Sequence, residues 1–79
     1  MTTQRLVYMA NQVAGFFASY PEQEAVEGTF GHLKAYWDPR MRREIETHLA
    51  SAGGAGLTPI ALAAVKRLAD MDAAKKKSA

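Results

Sequence analysis

The chain has 79 residues, with ten Lys or Arg against eight Asp or Glu (net charge +2) and no Cys. That length holds one domain and buries only about 60% of the surface its unfolded form exposes, so partner subunits or self-association are a natural remedy for a thin margin. The lack of cysteine excludes a disulfide framework, an iron–sulfur cluster and a cysteine zinc site, while the spaced apolar residues at the N-terminus fit neither a signal peptide nor a membrane span, so the expected location is cytoplasmic.

The charge is uneven. Residues 1–65 hold five basic and six acidic groups, and residues 66–79 hold five basic and two acidic. The expected organisation is a nearly neutral helical domain over 1–72, followed by a basic, flexible tail over 73–79.

The first predicted helix runs from about Gln4 to Ser19. Leu6, Met9, Ala10, Val13 and Phe17 recur at three- and four-residue spacing and form one stripe. Phe16 lies on its edge, and Val7 and Ala14 form a second, weaker apolar side. A helix apolar on more than one side is either central or touches something else. Gly15 is expected to permit close approach of a neighbouring helix. Pro21, suited to a first helical turn, opens a second helix to about Tyr36, with Glu22, Glu24 and Glu27 favouring its positive end. Its expected stripe is Val26, Phe30, Leu33 and Trp37, weakened by Gly28 and Gly31.

Asp38-Pro39 ends that helix and starts the next, with Asp38 as cap and Pro39 as first residue. The third helix runs to about Ala50, with Met41, Ile45, His48 and Leu49 on one face. Three glycines between Ser51 and Gly56 mark a linker. Thr58-Pro59 repeats the cap logic, and a fourth helix runs to about Met71, with Ala61, Ala64, Val65, Leu68 and Met71 inward. No stretch alternates with a period of two. The expected fold is all-α, a compact bundle of about four short helices.

Tyr36-Trp37-Asp38-Pro39-Arg40-Met41-Arg42-Arg43 is the densest feature. One reading is a turn in which Trp37 plugs the core, Asp38 caps and the arginines are solvated. The other adds a docking surface made of Tyr36, Trp37, Asp38, Arg40, Met41, Arg42 and Arg43. Aromatic residues, Met and Arg are enriched at interfaces, and guanidinium groups grip carboxylates bidentately. The acidic neighbours Asp38, Glu44 and Glu46, and the lack of a reader motif, argue against nucleic acid. His32 and His48 have no metal-ligand spacing, with His48 expected as a half-buried packing residue. Ser19, Ser51 and Thr58 fit loops and caps. The glycine linker lacks the order and the following Lys-Ser/Thr of a phosphate loop. No catalytic, cofactor-binding or metal-binding residue is therefore expected.

Arg5-Leu6-Val7-Tyr8-Met9-Ala10-Asn11-Gln12-Val13 with Phe16-Phe17, His32-Leu33, Trp37-Asp38-Pro39-Arg40-Met41-Arg42, and Gly56-Leu57-Thr58-Pro59 with Ala64-Val65 and Leu68 together carry a family resemblance. Over residues 4–69 the chain resembles the delta subunit of cytoplasmic NAD-dependent, molybdenum- or tungsten-containing formate dehydrogenase. The 51–55 linker and the lysine tail add nothing to it. The resemblance implies a small accessory chain linked to activity, stability or assembly. It also implies larger partner subunits that hold the pterin-bound metal, iron–sulfur clusters and FMN. A transient assembly chaperone or regulator of the large subunit is the alternative.

Overall fold

A computed structural model describes residues 2–77, with side chains as far as Lys75. Among these residues the chain forms four helices: α1 (Thr3–Phe16), α2 (Glu22–Tyr36), α3 (Pro39–Ala52) and α4 (Pro59–Lys77). Each start has a local cause. The Thr2 hydroxyl accepts from the Arg5 N–H at 3.2 Å, and Asp38 Oδ1 accepts from the Met41 N–H at 2.9 Å. Thr58 stands before Pro59, and its Oγ1 accepts from the Ala61 N–H at 3.5 Å. Pro21 precedes α2 without a side-chain cap, and Glu22 and Glu24 supply negative charge to that end instead. The cap-proline junctions read from the sequence are thus present.

The ends of α1 and α4 differ from expectation. α1 stops at Phe16, and turn residues connect it to α2. α4 continues to Lys77, six residues beyond Met71, so part of the expected tail is helical. Alanine and lysine are good helix formers, and a helix already anchored by packing extends through them at little cost. Residues 78–79 of that tail lie outside the described residues.

The core is built from small and medium side chains. α1 supplies Leu6, Ala10 and Ala14, α2 supplies Ala25, Thr29 and Leu33, α3 supplies Ile45, and α4 supplies Ala61, Ala64, Val65 and Leu68. Trp37 joins them from the α2–α3 turn. Each fully buried Leu, Ile or Val contributes roughly 1.5–3 kcal/mol of transfer free energy. The alanines contribute differently: they let helix axes approach where larger side chains would hold them apart. α4 packs on all three other helices, most extensively on α2.

Two predicted stripes are rotated slightly. On α1, Ala14 is fully buried while Met9 and Val13 are half-buried. On α2, Ala25 and Thr29 face the core, and Val26 and Phe30 lie at its margin. Size explains the shift: the tightest contacts select the smallest residues. Buried Thr29 satisfies its hydroxyl by donating to the Ala25 carbonyl at 2.8 Å. The close approach expected at Gly15 occurs at Gly28 instead. A Cβ at Gly15 would meet nothing within 4 Å, whereas one at Gly28 would lie 2.6 Å from the Phe17 ring. The aromatic ring of α1's C-cap therefore rests directly on the α2 backbone.

Candidate functional site

The α2–α3 turn is pinned from several sides. The Trp37 N–H donates to the Leu33 carbonyl at 3.0 Å, and its backbone then turns extended, as a change of direction requires. Its side chain is only 5% exposed. Met41 is half-buried against the same core. Arg42 reaches inward along the fold: Nη1 donates to the Lys34 carbonyl at 3.4 Å, and Nε lies 3.7 Å from Asp72 Oδ2. One guanidinium thus ties α3 to the end of α2 and to α4.

The remaining members of the predicted set face solvent. Asp38 is exposed but occupied as a cap. Arg40 and Arg43 are exposed and line a shallow depression with Thr3, Glu44, Thr47 and Ser51. Across it the Thr3 hydroxyl donates to Glu44 Oε2 at 2.8 Å, linking α1 to α3. Tyr36 is 76% exposed, and its ring lies 4.8 Å from that of His32. The contiguous sequence string therefore separates into an internal group (Trp37, Met41, Arg42) and an outward group (Tyr36, Asp38, Arg40, Arg43).

Tyr36 belongs to a wider aromatic surface. Tyr8 and Phe16 of α1 are 57% and 73% exposed. They border one hollow with Asn11, Gln12 and Gly15. Phe16 also borders a second hollow, of about 400 Å³, with Gln12, Val13, Phe17 and His32. Phe16 meets Phe17 edge-to-face at 5.0 Å, and Phe17 meets Tyr20 in the same way at 5.7 Å. The sequence held a signal for this face. Leu6, Ala10 and Ala14 account for the inward side of α1, which leaves Tyr8, Gln12 and Phe16 together, four residues apart, on the outside. α1 also carries a single charged residue, Arg5.

The other polar candidates hold structural positions. His48 Nε2 lies 2.8 Å from the Ala55 carbonyl oxygen and steadies the α3–α4 loop. Ser51 Oγ donates to the Thr47 carbonyl at 2.9 Å. Asn11, which no motif singled out by itself, clamps that loop to α1. Its Nδ2 donates to the Gly56 carbonyl, and its Oδ1 accepts from the Thr58 N–H, both at 2.9 Å. The early Asn11 and the late Gly56-Leu57-Thr58-Pro59 strings thus meet in space. On the α2–α4 side, Arg67 pairs with Glu27 and stands 4.4 Å over the Phe30 ring. Among the described residues no three His, Asp or Glu side chains are grouped to hold a metal ion. No described helix is long and apolar enough to cross a membrane.

No curated protein and no solved structure gives a significant match to the chain. Residues 5–65 match the family described as NADH-dependent formate dehydrogenase delta subunit, FdsD. That span contains the Asn11 clamp, the capped α2–α3 turn and the aromatic surface, and covers most of the 79 residues. The chain therefore belongs to the delta-subunit family of NADH-dependent formate dehydrogenases.

Proposed function

We propose that the chain is a non-catalytic accessory subunit of an NAD-dependent formate dehydrogenase that acts in the cytoplasm. It docks on larger subunits and supports their assembly, stability or activity while they oxidise formate to carbon dioxide. The family match over residues 5–65 is the observation that carries this reading. The molybdenum or tungsten pterin cofactor, the iron–sulfur clusters and FMN reside in those larger subunits.

The residues support an attachment role in two ways. Several polar side chains are engaged in holding the fold: Asp38 as a cap, His48 on the loop, Arg42 between helices. The large side chains left outward, Tyr36, Arg40 and Arg43, are residue types that anchor protein interfaces. Arg40 and Arg43 offer two guanidinium groups to carboxylates on a partner.

Purification of the enzyme through a tag on a larger subunit tests this reading. The expected result is co-elution of the chain in fixed stoichiometry through size exclusion. Mature, active enzyme that lacks the chain would contradict the subunit reading and favour a transient chaperone. Arg40→Ala with Arg43→Ala is expected to weaken the complex severalfold, more at low salt than at high, because exposed charge contacts are screened. Unchanged retention at low salt would remove these arginines from the interface.

A further inference from the structure

We infer that the aromatic face of α1 and α2, formed by Tyr8, Phe16, His32 and Tyr36, seats this chain on an uncharged, apolar patch of a larger formate dehydrogenase subunit. The inference rests on the accessory-subunit reading and specifies which surface and what partner chemistry it uses.

The face is continuous. Tyr8 and Phe16 share one hollow, Phe16 and His32 share the next, and His32 lies against Tyr36. Gln12 borders both hollows. Tyr8, Phe16 and Tyr36 are all more than half exposed. At about 150–250 Å² per aromatic side chain, these exposed fractions leave roughly 300–500 Å² open. That is the size of the largest apolar patch on a typical monomer, which is often functional. Here a chain of 79 residues carries it.

Charge indicates the kind of partner. The outward side of a solvated helix ordinarily carries charged groups. α3 has five charged residues, Arg40, Arg42, Arg43, Glu44 and Glu46, whereas α1, of the same length, has only Arg5. Depletion of charge with enrichment of aromatics marks the centre of a protein interface. Apart from Arg5 at its edge and the His32 ring, this face gives a charged partner surface nothing to pair against as it loses hydration. The complementary surface is therefore apolar, with neutral hydrogen-bonding groups for the two tyrosine hydroxyls and the Gln12 amide.

Area favours a larger subunit over a second copy. A stable pair buries about 800 Å² per partner. Two copies meeting along this face would bury the rings and fall short of that value. A larger subunit with a concave seat surrounds the patch and gains the rim as well. A lipid surface fits less well, because interfacial helices carry many Lys and Arg along their polar side.

The test uses the full chain bound to the larger subunits. Tyr8→Gln with Phe16→Gln is compared with wild type and with Glu22→Gln plus Glu24→Gln, two exposed positions at the start of α2. The aromatic double variant is expected to keep its helix content by circular dichroism and its monomeric mass. Its affinity for the larger subunits should fall by roughly tenfold to a hundredfold, as for loss of hot-spot residues. The acidic double variant should bind like wild type. Wild-type affinity in the aromatic variant would overturn the inference while leaving the accessory-subunit reading intact. So would a wild-type chain that forms dimers at micromolar concentration through these residues, or one that sediments with phosphatidylglycerol vesicles in a Tyr8- and Phe16-dependent way. Failure of the wild-type chain to bind the larger subunits would remove the accessory-subunit reading itself.

Discussion

Trp37 closes the end of α2 inside the core, next to a turn whose outer residues are charged. Replacing it with Ala leaves a cavity at the meeting point of helices, with an expected cost of about 3–5 kcal/mol. Urea unfolding of the isolated chain would read that loss directly. Any weakening of the complex by Trp37→Ala should then follow the fraction unfolded, unlike the effect of Arg40→Ala, which should leave stability nearly unchanged. Asn11 makes a second prediction at this scale. Each of its two hydrogen bonds contributes about 0.5–1.5 kcal/mol. Asn11→Asp keeps the acceptor for the Thr58 N–H but turns the other oxygen toward the Gly56 carbonyl, so a loss of about 1–3 kcal/mol is expected. An unfolding midpoint equal to wild type would show that the clamp contributes nothing. Asn11 was legible in the sequence only as part of a string. Its partner lies 45 residues away, and no local rule links an amide in one helix to a carbonyl in a distant loop.

At the scale of elements, proline and cap chemistry located the starts of α3 and α4 well, because both rules act within four residues. The apolar stripes located the helices but not their exact rotation. Ala14, Ala25 and Thr29 are core residues because small side chains win at tight helix contacts, and hydropathy alone ranks Val26 and Phe30 above them. The glycines separate by the same logic. Gly31 is exposed, and an added methyl group would meet nothing within 4 Å. Gly31→Ala is expected to stabilise the chain by about 0.5–1 kcal/mol through helix propensity. Gly28→Ala should forfeit that gain, since the new methyl would displace the Phe17 ring. Gly54→Ala should cost about 1–3 kcal/mol. Its φ of +74° disfavours a side chain, and a Cβ there would lie 2.6 Å from Leu62 Cδ1. Thermal unfolding of the three variants under one condition checks the order Gly31→Ala, Gly28→Ala, Gly54→Ala from most to least stable.

At the scale of the whole molecule, a radius of gyration of 11.7 Å agrees with about 11.6 Å expected for a folded chain of this length. The body is closed around its core, yet three large aromatic side chains remain open on α1 and α2. The sequence placed the candidate docking surface at Tyr36 to Arg43 because that string is dense in aromatic and basic residues. The fold divides the string: Trp37 and Met41 turn inward, Arg42 is bonded between helices, and Tyr36, beside its helix neighbour His32, joins a face completed by Tyr8 and Phe16 of α1. Proximity along the chain signalled the string, but only helix pairing brings Phe16 beside His32. An aromatic face of this kind gives a fragile small domain a reason to be bound, since burying it stabilises the chain as well as the complex.

The most direct test of the accessory-subunit account is the native mass of what is recovered with a tagged copy of this chain expressed alongside the larger formate dehydrogenase subunits. The account predicts a single complex containing those subunits and the chain in constant ratio across preparations, with formate-dependent NAD reduction. Recovery of the chain alone, with full activity eluting separately in its absence, would contradict it.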